Sequence, residues 1–276
     1  MTIVEIFSYG FMQRALISGL LVGILCAVLG VFLVLRRLSL IGDGLAHVTF
    51  GSVALALALK AQPLYVTLAA LPLVLLSSLG ILKLTEKAKI YGDAAIGIVS
   101  AAGIAVGVIL AGATGGFNVD LFSYLFGNIL AVSIEETVMA GVLFCLVITV
   151  VIVHYRKLFA ITFDEELARS SGIKVERINA LLAILTALTV VLAMKLVGIL
   201  LVSALLIIPP VSALQVARSF KLTIFLSVLF SAFSVFTGIL LSLVLNLPTG
   251  GVIVLINISL FMIAFLVRKY SPRAGS

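Results

Sequence analysis

Charged side chains are scarce in this sequence, and the scarcity excludes a soluble protein. Only 11% of the 276 residues are charged, whereas 63% are hydrophobic. A soluble domain has about a quarter of its residues charged, so we interpret the chain as an integral membrane protein. Seven long runs contain no Asp, Glu, Lys or Arg, and they cover 15–35, 61–82, 94–119, 137–153, 178–194, 196–217 and 222–267.

Several motifs of catalysis and cofactor binding are also absent. No Gly-Lys dipeptide occurs, so there is no phosphate-binding loop, and any ATP that drives the protein must bind to another chain. No HExxH motif is present, which argues against a membrane metalloprotease. Cys26 and Cys145 are too far apart to form a metal knuckle, and both are expected to be small core residues. The chain itself is therefore not expected to be an enzyme or to bind a cofactor.

Basic residues occur in short clusters between the apolar runs, and the clusters predict the topology. Fifteen of the 18 Lys and Arg fall in them, as positive-inside loops would require, so we do not interpret the net charge of +7 as a sign of nucleic-acid binding. The clusters are Arg36/Arg37, Lys83/Lys87/Lys89, Arg156/Lys157, Arg169/Lys174/Arg177, Arg218/Lys221 and Arg268/Lys269/Arg273. Placing them in the cytoplasm puts the N-terminus outside and the C-terminus inside.

The predicted fold is all-α: a polytopic bundle of about nine transmembrane helices, with eight as the alternative, in one domain over 1–276. The last run of 46 uncharged residues is long enough for two spans, which we expect to be separated at "NLPTGG" (246–251). Residues 117–132 are too short and interrupted for a span and are expected to lie at the outer surface. The predicted spans are 11–35, 43–59, 61–83, 93–113, 136–155, 178–194, 196–217, 222–245 and 250–267.

An acid and an imidazole lie four residues apart at the start of the second span, in "LIGDGLAHVTFG" (40–51). On a helix, Asp43 and His47 share one face and can reach one ion together. A carboxylate and an imidazole suit Zn²⁺ or Mn²⁺, yet two ligands make an incomplete site, which a symmetric second copy would complete to four. The alternative is structural, with Asp43 as the N-cap of the helix and His47 bonded to it.

The longest polar stretch predicts a cytoplasmic loop over 155–177 that contains a short helix. Asp164, Glu165 and Glu166 suit the positive end of a helix of about two turns, and Gly172 suits its end. The helix is either a solvated connector or a docking element for a cytoplasmic partner.

Backbone and polar features of the other spans predict local structure. Pro209 and Pro210 lie in mid-span and are expected to bend or interrupt that helix, either as a structural kink or as a gate that moves. Glycines at Gly97, Gly103, Gly107 and Gly112 predict a close-packing face. Interhelical hydrogen bonds are expected from the polar residues Ser203, Gln215, Asn257, Ser259 and Asn128.

Three motifs in order resemble a known family. They are "RRLSLIGDGLAHVTFGSVAL" (36–55), "FDEELARSSGI" (163–173) and "VGILLVSALLIIPPVSALQVA" (197–217). They are similar to the permease subunits of bacterial ABC importers for zinc, manganese or iron, and the resemblance covers nearly the whole chain.

The resemblance implies the partners and the roles of several residues. It implies a second copy of the chain, two cytoplasmic ATP-binding subunits and an extracytoplasmic metal-binding protein, all at the bacterial cell membrane. Asp43 and His47 match the acid and imidazole that line the metal path of the family. The segment 163–173 would be the coupling helix that binds in a groove of the ATPase. Its coupling residues would be Phe163, Asp164, Glu165, Glu166, Ala168 and Gly172.

The predicted function is the permease of an ATP-driven importer of divalent transition metals. Asp43 with His47 suits zinc or manganese better than a siderophore, and the "FDEELA" segment resembles the zinc-type members of the family, so zinc is favoured over manganese. Two alternatives stay open: a stand-alone transporter that couples metal to protons through Asp43 and His47, and a permease for iron or a metal chelate.

Overall fold

Ten α-helices, and no strand, make up the described residues of this computed structural model, which are 9–59, 63–88, 90–113 and 131–270. The all-α prediction is confirmed. The helices are α1 (Gly10–Leu35), α2 (Ile41–Ala58), α3 (Pro63–Lys87), α4 (Gly92–Ala113), α5 (Ile134–Phe163), α6 (Glu165–Ser170), α7 (Val175–Val197), α8 (Ile199–Val216), α9 (Phe220–Leu245) and α10 (Thr249–Tyr270).

Eight of these helices are long and apolar enough to cross a membrane. The helix α3 has 25 residues, but its qualifying apolar stretch covers only Ala69–Thr85. Each of the nine predicted spans corresponds to one long helix, and the predicted break before α10 is confirmed, because Asn246 ends α9 in the left-handed conformation. The outer segment predicted at 117–132 falls almost entirely outside the described residues.

The connection between α5 and α7 is more helical than the sequence predicted. The helix α5 continues to Phe163 rather than ending near 155, and α7 begins at Val175. The predicted loop over 155–177 therefore contains the last two turns of α5 and the short helix α6. The cause is the absence of Gly and Pro from 154–163, so no residue in that stretch stops the helix.

Contacts between helix ends divide these ends into two groups, which lie at opposite ends of the bundle. At the end with the basic clusters, Arg36 contacts Glu165, and Arg268 donates to Gln215. At the other end, Lys195 pairs with Glu136 at 2.8 Å, and Arg14 donates to the carbonyl of Val132. The start of α1 and the end of α10 therefore lie at opposite ends of the bundle.

Small and hydroxylated residues bring the helices together. Ser227 and Ser231 of α9 donate to the carbonyls of Ala27 and Gly23 of α1. Such bonds join helices where neither water nor lipid offers a partner. The helix α1 also packs against α5, α7 and α8, so it lies in the middle of the bundle.

Glycines allow α2 and α4 to pack closely. A Cβ at Gly103 would lie 2.7 Å from Cα of Val48, and one at Gly107 would meet the ring of Phe50. The predicted close-packing face is thus confirmed for these two glycines. It is wrong for Gly97 and Gly112, whose open sides face no atom of the described structure within 4 Å.

Candidate metal path and coupling helix

The buried surface of α2 is interrupted at two residues. Between Ile41 and Ala54, every residue is buried except Asp43 and His47. Because they are one turn apart, both open toward the same side of the helix. The two ionisable groups of α2 therefore mark the part of its first turns that the described residues leave uncovered.

Asp43 does not cap α2, so that part of the structural interpretation is wrong. The helix begins at Ile41, its N-cap is Leu40, and the N-cap makes no side-chain bond. The chain turns into α2 through backbone hydrogen bonds, among them those from Ile41 to Leu38 and from Gly44 to Leu40. Asp43 lies inside the first turn, with its carboxylate free to point away from the backbone.

Asp43 contacts two side chains. Its Oδ2 lies 3.6 Å from Nε2 of His47, and its Oδ1 accepts a 3.1 Å hydrogen bond from Oγ of Ser203 in α8. The Asp43 side chain is 44% exposed and that of His47 is 29% exposed. The sequence predicted an interhelical hydrogen bond for Ser203 but did not identify Asp43 as its partner. The packing of α8 on α2 brings the two residues together.

The pair supplies one carboxylate and one imidazole, and no third His, Cys, Asp or Glu joins them within the part of the chain that the structure describes. Transition metals such as Zn²⁺ take about four ligands, so the pair is at most half of a site. Ionisable groups at membrane depth are costly unless protein or a water-filled cavity covers them. Within the membrane, the open side of the pair would therefore be covered by another chain or face a water-filled cavity.

The two prolines of α8 do not interrupt the helix. The helix continues from Ile199 to Val216 through Pro209 and Pro210, both of which are buried. Pro210 has no N–H to bond the carbonyl of Leu206, one turn earlier. That oxygen faces Gly30 of α1, where an added Cβ would collide with it. The prolines thus allow close packing of α8 on α1; their role as a gate remains a prediction.

The short helix predicted in the cytoplasmic loop is confirmed as α6, and both of its ends are capped. The Asp164 carboxylate accepts a 2.8 Å hydrogen bond from the N–H of Leu167. At the other end, Gly172 has a φ of 81°, and the N–H groups of Gly172 and Ile173 bond to the carbonyls of Arg169 and Ala168. This bonding pattern is a Schellman motif, which fixes the helix end sharply.

The helix α6 is attached to the bundle on one side and open on the other. Ala168 is buried, and Glu165 pairs with Arg36 at 3.1 Å. Phe163 and Leu167 are 60% and 63% exposed. Sequence analysis predicted no contact for Arg36 or Leu167. Phe163 is the last residue of α5 and Leu167 lies in α6, and the extended residue Asp164 between them hides their proximity from any helical spacing.

Comparison with known proteins decides the family. The model of the family described as "ABC 3 transport family" matches residues 8–268. The chain belongs to the ABC 3 transport family. It is the permease subunit of a metal ABC importer, a multi-pass membrane protein and not an enzyme, and the ATPase of such an importer is a separate subunit.

Similar proteins extend over almost the full length of the chain. The manganese transport system membrane protein MntC of Halalkalibacterium halodurans is 34% identical over 271 residues, which are 98% of this chain and 91% of that protein. The high-affinity zinc uptake system membrane protein ZnuB of Haemophilus influenzae is 31% identical, covering 92% of this chain and 97% of the relative. A chain of PsaBC from Streptococcus pneumoniae, solved in complex with Fab, superposes with a TM-score of 0.85 at 34% identity, covering 98% of both chains.

Proposed function

We propose that Asp43 and His47 of two copies of this permease form a transient site for Zn²⁺ or Mn²⁺. The observation that carries the proposal is that these two residues alone interrupt the buried surface of α2 between Ile41 and Ala54. Oxygen and nitrogen ligands suit both metals. Each copy contributes only two ligands, so binding by either copy alone is weak, and a shift of one copy against the other releases the ion.

A second copy is the cover that fits the open side of the pair. A two-fold axis next to α2 brings the same acid and imidazole from each copy to one point. The positive charge of the metal offsets the repulsion between two carboxylates there. Ser203 holds Asp43 in place through Oδ1 and leaves Oδ2 available to the ion.

The helix α6 is the surface that we propose for the ATPase subunits. The exposed Leu167 of α6 and the exposed Phe163 at the end of α5 provide apolar contacts, and Asp164 and Gly172 cap the helix. Glu165 transmits movement to the bundle through Arg36. Arg36 is the C-cap of α1 and lies five residues before the start of α2. This route connects ATP hydrolysis in the partner to the segment that carries Asp43, and Glu166 lies on the docking surface itself.

The orientation follows from the basic clusters. We propose that α6 and the C-terminus are cytoplasmic and that the N-terminus is outside. The opposite end, where Glu136 pairs with Lys195, then faces the extracytoplasmic binding protein that delivers the metal. The whole chain acts as one permease domain.

We propose zinc as the transported metal, with manganese as the alternative. The resemblance of the "FDEELA" segment favours zinc, while the similar proteins include ones named for manganese, for zinc and for iron. ATPase activity of the reconstituted complex across Zn²⁺, Mn²⁺ and Fe²⁺ distinguishes zinc, manganese and iron. Uptake that persists after ATP is removed would instead support the stand-alone, proton-coupled transporter.

Metal uptake by variants in proteoliposomes tests the site. Asp43→Ala and His47→Ala are each expected to abolish most uptake, because each removes two of the four ligands from the dimer. Asp93→Ala, in the first turn of α4, and His154→Ala, whose ring bonds within α5, serve as matched controls. Full uptake in both site variants, at equal protein levels, would contradict the proposal.

A further inference from the structure

A groove opens between α5 and α9 on the outer surface of the bundle. Both helices pack on α1, and the space between them has a volume of about 480 Å³. Its wall is almost entirely aliphatic. Val28 of α1 lines it together with residues of α5 that are spaced at i, i+3 and i+4 and therefore lie on one face of that helix. The aliphatic residues are Val28, Ile148, Val151, Ile152 and Ile224.

The two polar residues of the groove lie at the basic end of the bundle. Tyr155 lines it on α5, and Lys221 lines it on the first turn of α9. Lys221 is exposed, and its ammonium makes no ion pair within the described residues. The nearby basic residues Arg156, Lys157 and Arg218 are exposed as well, and no acid occurs in 145–163 or 216–230. The groove is thus apolar along its length and positive at one end.

We propose that this groove binds an anionic phospholipid, with an acyl chain along α5 and the phosphate at Lys221. An acyl chain matches the aliphatic wall, and Lys and Tyr at the mouth match a charged headgroup at the membrane surface. Basic pockets between transmembrane helices at the cytoplasmic side bind anionic headgroups for this reason. A second copy of the chain fits less well, because a two-fold contact here would bring like charges together.

The site is connected to the coupling helix through aromatic rings. The centroid of the Tyr155 ring lies 6.0 Å from that of Phe220, and the Phe220 ring lies 5.6 Å from that of Phe163. Phe163 precedes Asp164, the N-cap of α6. A lipid against Tyr155 therefore supports the ring cluster from which α6 extends. The link between the lipid and transport rests on the proposed coupling role of α6. The lipid-binding site itself does not depend on that role.

Native mass spectrometry of the permease with its ATPase subunits tests the binding, using phosphatidylglycerol and phosphatidylcholine as probes. Wild type is expected to retain phosphatidylglycerol preferentially. Lys221→Ala should weaken that retention roughly fivefold, since one cation near the surface contributes about 1 kcal/mol, whereas Lys221→Arg should keep it. Lys269→Ala, which removes an exposed lysine at the same end, is the matched control and should change nothing.

A second pair of variants tests the acyl-chain part of the groove without altering its charge. Ile152→Trp should fill the groove and lower retention of both lipids, while Ile258→Trp, on the exposed face of α10, should not. Equal phosphatidylglycerol retention in Lys221→Ala and Lys269→Ala would overturn the proposal, as would unchanged retention in Ile152→Trp. Because lipid retention is measured without transport, its failure is distinguishable from failure of the proposed metal site.

Discussion

Arg36 donates a 3.1 Å hydrogen bond to Glu165, which joins the end of α1 to the first residue of the short helix α6. The Arg36 side chain is only 9% exposed, so this ion pair is partly shielded from water. Arg36 also lies five residues before the start of α2, which carries Asp43. The pair therefore connects α6 to the segment that carries the proposed metal site.

A double-mutant cycle on this pair should show that the two residues act together. In Arg36→Gln, Glu165→Gln and the double variant, we expect a coupling energy of about 1 kcal/mol, or roughly fivefold in transport rate. Metal uptake at saturating ATP is the measurement. A parallel cycle with Glu166→Gln, a neighbouring acid, should be additive; additivity in both cycles would remove Arg36 from the route.

Ser203→Ala should weaken metal affinity without abolishing transport. The hydroxyl is the donor that holds Oδ1 of Asp43, and loss of one such bond costs about 1 kcal/mol, which raises the half-saturating metal concentration roughly fivefold. Ser259→Ala is the control, because Ser259 is exposed and bonds only to Leu255 in its own helix. An unchanged half-saturating concentration in Ser203→Ala would mean that Asp43 needs no support from α8.

Gly103→Ala should destabilise the bundle, and Gly112→Ala should not. The added methyl at Gly103 would lie 2.7 Å from Cα of Val48 and 2.8 Å from the carbonyl oxygen of His47, so α2 and α4 would have to separate. Overpacking of this kind costs about 1–3 kcal/mol. The thermal midpoint of the purified protein in detergent measures the effect, and equal midpoints for the two variants would show that the helices adjust freely.

Gly172→Ala should weaken binding of the ATPase subunits. A φ of 81° is a left-handed conformation that costs a residue with a side chain about 1–2 kcal/mol, so the end of α6 would shift. Gly141→Ala, in open space within helix α5, adds the same methyl without strain. Co-purification of the ATPase with the permease is the measurement, and equal recovery from both variants would show that the cap is dispensable.

Much of the fold was predictable because transmembrane spans follow from uncharged length and from the position of basic clusters. All nine predicted spans correspond to helices, and α6 was predicted from Asp164 and Gly172. The end of α5 was placed too early, because the hydropathy of 154–163 falls while its helix propensity persists. The close approach of the Leu206 carbonyl in α8 to Gly30 in α1 joins two distant parts of the chain, and no local pattern predicts it.

The candidate site was predictable only in part. Asp43 and His47 share a helix, so their spacing alone indicated that they are neighbours. Ser203 and Arg36 reach their partners across 160 and 129 positions of the chain, and only the tertiary packing brings them together. The uncovered side of the pair is likewise a property of the folded chain.

Gly198 alone connects α7 to α8, with a φ of 83° and a ψ of 163°. This region of backbone conformation is essentially restricted to glycine. Three residues before it, Lys195 is anchored to Glu136, and five residues after it, Ser203 holds Asp43. The turn between an anchored helix and the helix that supports the proposed ligand is thus made by one residue. A side chain at position 198 would change the direction in which α8 leaves α7 and oppose the packing that brings Ser203 to Asp43.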